Sequence, residues 1–135
     1  MGIMKGGCLC GAVRYEAKGM PLFSGFCHCR DCQRATGTGH CCYMIFDRTD
    51  VTISGTCRSY EKLAENGNPT IRYFCEICGS QLFGSGPPDD ERWSIYAGTL
   101  DDLSVFQPTD AIFTRSRHEW DRSVLTLDEC EALPG

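Results

Sequence analysis

The chain is 135 residues long, with a formal net charge of −5, a pI near 5.1, 41% hydrophobic and 23% charged residues. That is the size and composition of one folded globular domain, and a disordered tail is excluded. No apolar run approaches the roughly 18 residues a bilayer crossing needs, and the acidic balance argues against a nucleic-acid partner, which calls for a basic stripe.

Read in chain order, the opening MGIMKGGCLC carries no apolar h-region of a secretory signal, and Gly6 stands where myristoylation demands Ser or Thr. A soluble, cytoplasmic protein is the expectation. Residues 12–17 (AVRYEA) alternate apolar and polar and predict a strand. Leu22 to Cys27 is extended after a Gly-Met-Pro turn. A short helix is predicted from Arg30 to about Thr36, closed by Gly37. Further strands are predicted at Cys41–Phe46, Val51–Ile53, Arg58–Tyr60, Thr70–Phe74, Gln81–Phe83 and Trp93–Ala97. Gly55, Asn66 to Pro69 and Gly84 to Pro88 punctuate them. Leu127 to Leu133 offers a final helical turn or two. Many short strands without a βαβ alternation predict a mainly β fold, a single domain over 1–135 made of two packed antiparallel sheets.

Cysteine is the anomaly, with 11 residues. The count is odd, and the spacings are those of chelates rather than bridges. Cys8-x-Cys10-Gly11 and Cys75-x-x-Cys78-Gly79 read as two halves of one four-thiolate site. Side chains two apart on extended backbone share a face, and a Cys-x-x-Cys-Gly turn is a zinc knuckle whose glycine permits positive φ. A closed shell of that kind is structural. Zinc is favoured, although spacing alone does not separate it from iron.

Cys27-His28-Cys29-Arg30-Asp31-Cys32-Gln33-Arg34 holds a second group. Cys27 and Cys29 share a strand face, and Cys32 comes round on the first helical turn. Three protein ligands leave one tetrahedral position for water or substrate, the arrangement of a catalytic zinc. The helix start, Arg30 and Arg34 all favour thiolate there. His28 should point to the opposite face, packed and hydrogen-bonded. Cys41, Cys42, Cys57 and Cys130 remain, and a free cysteine behaves as a small core hydrophobe. Any of the first three could instead close the second site and make it structural. Ten arginines against three lysines suit the capture of carboxylates, with Arg30 and Arg34 nearest the open position.

These motifs, together with Gly7 to Tyr15, Phe74 to Gly79, Ala97 to Asp101 and Ile112 to Trp120, resemble the glutathione-dependent formaldehyde-activating enzyme (GFA) family, also called the centromere protein V family. The resemblance implies a β-tent fold with two zinc ions per chain. Cys8, Cys10, Cys75 and Cys78 match the structural site, and Cys27, Cys29 and Cys32 the three-cysteine site. It implies a carbon–sulfur lyase that joins glutathione, or a related thiol, to formaldehyde or another small aldehyde. Ala111 departs from the pattern, since members often carry His before the Ile-Phe pair. The alternative is a non-catalytic, zinc-stabilised binding module. No residue stands out as the general acid.

Overall fold

The computed structural model describes residues 2–87, 90–122 and 126–134. Among the described residues, ten strands fall into two sheets. The small sheet has the order β1-β2-β5, from Ile3–Gly7, Arg14–Lys18 and Val51–Ser54, all antiparallel. The large sheet runs β10-β3-β4-β9-β8-β7-β6. Its strands are β3 (Phe23–Cys27), β4 (Cys41–Asp47), β6 (Cys57–Leu63), β7 (Pro69–Cys75), β8 (Gln81–Ser85), β9 (Arg92–Tyr96) and β10 (Asp110–Ile112). The mainly β, two-sheet fold expected from the sequence is thus the one found.

The small sheet shows why alternation is legible. In β2, Tyr15 and Ala17 are buried while Arg14, Glu16 and Lys18 face water. Val13, Tyr15 and Ala17 join Met44, Phe46, Phe83 and Ile95 of the large sheet in one apolar core. Tyr15 meets Phe83 edge to face at 5.5 Å, and its hydroxyl lies 2.8 Å from that of Thr99. The outer strand β6 is solvated along nearly its whole length and carries Arg58, Glu61 and Lys62, charges that discourage pairing with another chain.

The single α-helix among the described residues, α1, spans Arg30–Thr36. Cys29 caps its start, its Sγ accepting from the Cys32 amide at 3.2 Å. Gly37 ends it at φ 71°, donating its amide to the Gln33 carbonyl.

Three features depart from the sequence expectation. Strand β1 has no alternation in its residues (IMKGG) and forms because β2 offers it a full ladder from Ile3↔Lys18 to Gly7↔Arg14. Strand β10, only three residues long, pairs in parallel with β3, so the large sheet is not wholly antiparallel. No helix forms in the described residues 126–134, which are exposed and have no face to bury. Among the described residues, no helix is long and apolar enough to cross a membrane.

Gly25 makes the parallel pairing possible. A Cβ there would overlap the Asp110 carbonyl oxygen, so the bare backbone lets β10 lie against β3. Two further bonds fasten the edge: Thr109 N–H to the Ser24 carbonyl and His28 N–H to the Ile112 carbonyl, both 3.0 Å. Gly25→Ala is therefore expected to speed hydrogen exchange at the Thr109 and His28 amides on the order of tenfold while the core stays folded. Unchanged exchange at both amides would show that the close approach is dispensable.

Candidate metal centre

The first cysteine group is assembled from both sheets. Cys8 and Cys10 lie in the turn between β1 and β2, Cys75 ends β7, and Cys78 lies in the turn between β7 and β8. All four sulfurs lie within 4.8 Å of one another. Cys8 and Cys10 are separated by 3.6 Å and Cys10 and Cys75 by 3.8 Å. Zinc–sulfur bonds of about 2.3 Å in a tetrahedron put neighbouring sulfurs about 3.8 Å apart, so the donor set fits that ion.

Local backbone serves the same end. The Cys75 sulfur lies 3.4 Å from the Ile77 amide and 3.5 Å from the Cys78 amide, and the Cys8 sulfur 3.2 Å from that of Val13. Gly79 closes the knuckle at φ 78°, where its amide reaches the Cys75 carbonyl. A Cβ at Gly79 would meet nothing within 4 Å, so backbone angle and not space demands glycine. The Ser80 hydroxyl, 3.2 Å from Cys78 Sγ, is the chief cause that pulls the Cys78 thiol down to about 5.

The second group differs from expectation. Cys27, Cys32 and Cys41 lie within 4.8 Å of one another, so Cys41, assigned to core packing in the sequence, belongs to this cluster. Cys27 and Cys41 are direct partners across β3 and β4, which places their side chains on one face. Cys29 lies beside Cys27 and Cys32 but outside that mutual set of three. Contact with Cys29, Cys32 and Cys41 drives the Cys27 thiol far down, while Cys27 pushes Cys32 far up and Cys41 up to about 12. Sulfurs so crowded must share protons or hold a cation, and soft thiolates suit zinc. Cys130 is exposed, whereas Cys42 and Cys57 do pack against the core.

His28 turns away from the sulfurs, as its place between two of them requires. It is buried, with Nε2 accepting from Arg117 Nε at 3.4 Å and Nδ1 lying 3.3 Å from Asp121 Oδ2. His40 Nδ1 meets the same carboxylate oxygen at 2.7 Å. His28, His40 and Asp121 are close enough to hold a metal. The adjoining Arg117 charge opposes a cation there, and burial, then Arg117, keeps His28 below its ordinary value. The trio is better suited to anchoring the segment after β10.

A cavity of about 340 Å³ opens directly onto the second group. All four of its cysteines line the wall, with Arg72, Arg92, Tyr43, Tyr96, Ile112 and Phe113. Arg30 and Arg34 are exposed on α1 and lie outside this lining. The guanidinium of Arg72 instead reaches Cys32 Sγ at 4.0 Å. Burial works against the Arg72 charge while Tyr96 and Cys32 favour it, and the balance holds the group above its ordinary value. Phe113 has left-handed backbone, φ 54° and ψ 38°, a strained state for an aromatic residue and one that clusters at ligand sites. Ala111, one step before Ile112, is not in the lining.

Residues 3–116 match the family described as glutathione-dependent formaldehyde-activating enzyme. The chain belongs to that family. No curated protein matches its sequence. Among solved structures, a crystal structure of a Rhodobacter sphaeroides protein is similar in fold, with a TM-score of 0.57 and 21% identity. The likeness covers 73% of this chain and 88% of that one. Membership in the glutathione-dependent formaldehyde-activating family implies formaldehyde activation or a related function, and both cysteine groups suit metal binding.

The first group should carry the stability of the fold. Cys75→Ser is expected to cost at least ~3 kcal/mol in denaturant unfolding, whereas exposed Cys130→Ser should cost less than ~0.5 kcal/mol. Equal effects would deny the first group its stabilising role.

Proposed function

We propose that this chain is a zinc-dependent carbon–sulfur lyase that joins glutathione, or a close thiol, to formaldehyde as S-(hydroxymethyl)glutathione. The cavity on the second cysteine group carries this reading. Its volume falls near the lower end of small-ligand pockets, roughly 300–1,000 Å³, and a purely structural metal needs no such space beside it.

Two zinc ions per chain are part of the proposal. Cys8, Cys10, Cys75 and Cys78 would hold one, and Cys27, Cys29 and Cys32 the other, with Cys41 at hand. Zinc held by the second group would lower the pKa of a thiol that reached it and so raise the thiolate fraction at neutral pH. The chain's own residues do the rest. Arg72 and Arg92 bind the carboxylates of the tripeptide, a task first expected of Arg30 and Arg34. Ile112 and Phe113 form an apolar wall that limits water near the aldehyde.

As sulfur attacks formaldehyde, the carbonyl electron pair passes to oxygen, which must then gain a proton. Burial pushes the Tyr43 and Tyr96 hydroxyls well above their ordinary values, so both keep their protons at neutral pH. Either Oη can hydrogen-bond the developing alkoxide, a role no residue claims from the sequence alone. The acidic net charge is consistent with small-molecule rather than nucleic-acid partners.

One observation favours a second reading. Cys41 brings a further sulfur to the second group, and a group saturated by protein would serve a zinc-stabilised binding module without turnover.

Exchange spectroscopy on glutathione and formaldehyde separates the two. The lyase must accelerate hemithioacetal formation over the spontaneous rate, and a rate equal to the blank defeats it. Arg72→Ala should raise the KM for glutathione about ten- to hundredfold, the worth of a charged hydrogen bond, and leave a neutral thiol such as 2-mercaptoethanol little affected. Equal losses with both thiols would remove Arg72 from carboxylate recognition.

A further inference from the structure

We infer that Cys41 is a metal ligand, so that the second centre is a four-sulfur site built from Cys27, Cys29, Cys32 and Cys41 and has no vacant corner at rest. The inference rests on the second group's holding a metal, as proposed above, and goes beyond that reading by naming its fourth ligand.

Two independent observations carry it. The backbone register sets Cys41 directly opposite Cys27 on adjacent antiparallel strands, so their Cβ atoms share one face whatever the rotamers. The sulfurs themselves then converge, with Cys27, Cys32 and Cys41 within 4.8 Å of one another. Cys41 is 4% exposed and Cys27 5%, so both sit at the base of the cavity on strand backbone. Cys29 completes the set from the helix cap, where it lines the same cavity as the other three.

Chemistry favours ligation over packing. A cysteine kept as a small hydrophobe is inert among apolar neighbours. Cys41 instead lies within 4.8 Å of the Cys27 and Cys32 sulfurs and shares the cavity wall with Cys29, and the Arg72 guanidinium reaches Cys32. Four thiolates around one divalent ion satisfy every sulfur at once, and zinc accepts that set readily. Cys29 is the least enclosed by the other three and only partly buried, so it is the corner at which an entering thiol meets least resistance.

The test is cadmium-113 NMR of the full chain loaded with cadmium, in which each site gives its own resonance and the shift reports the sulfur count. Two wild-type resonances in the four-thiolate region are expected. In Cys41→Ser, one should move upfield to the three-thiolate, one-oxygen region while the other stays. A wild-type spectrum with one resonance already in that upfield region overturns the inference, and needs no variant to fold. It would leave the proposed lyase standing with its open corner. Absence of any second resonance would overturn both the inference and the second zinc of the proposed function.

Discussion

The junction of two distant turns by four sulfurs is the constraint on which the rest of this molecule depends. Cys8 and Cys10 belong to the small sheet's first turn, and Cys75 and Cys78 to the end of β7 and the turn after it in the large one. A cation there would close a chain loop that includes β2 to β7, removing conformations from the unfolded state and gaining strong bonds in the folded one. Sheet packing alone, through Tyr15 against Phe83 and their neighbours, leaves the two turns free to splay at their tips. Leu9 and Ile77, nearly bare at those tips, show that the knuckles are held from within and not by apolar cover.

From that junction the large sheet extends as a platform, and the second cysteine group stands on its other half. Strands β3 and β4 supply Cys27 and Cys41, and the start of α1 supplies Cys29 and Cys32. Strand β10 adds a parallel edge that brings Ile112 and Phe113 to the same cavity, and Gly25 leaves it room. Arg72 and Arg92 arrive from β7 and β9, on opposite sides of β8. Site and fold are therefore not separable: strands of the large sheet and the start of α1 together wall the cavity.

Much of this is visible in the residues. Strands with alternation, such as the one containing Tyr15 and Ala17, announce themselves, as does the helix between its Cys29 cap and Gly37. The four-cysteine group is legible because each half is a compact motif whose geometry is local. What stays hidden depends on pairing. The strand over Ile3–Gly7 draws its order from a partner, and the three residues Asp110–Ile112 are too short to show a period. Cys41 lies nine residues beyond Cys32 with no motif spacing, and only the β3–β4 register reveals its place. Arg30 and Arg34 are near the cysteines along the chain, yet helix geometry turns them to solvent, while Arg72 comes from the far side of the sheet.

The approach of Arg72 to Cys32 has a thermodynamic corollary. In the proposed lyase one guanidinium would face both a sulfur and an incoming acid group, and its field cannot serve both in full. Occupancy of the cavity by an anion must weaken the electrostatic hold on the sulfur beside it, and by reciprocity a more negative sulfur cluster must repel that anion. Cargo and counterion would share the charge of Arg72, and that antagonism is written into the spacing of one side chain.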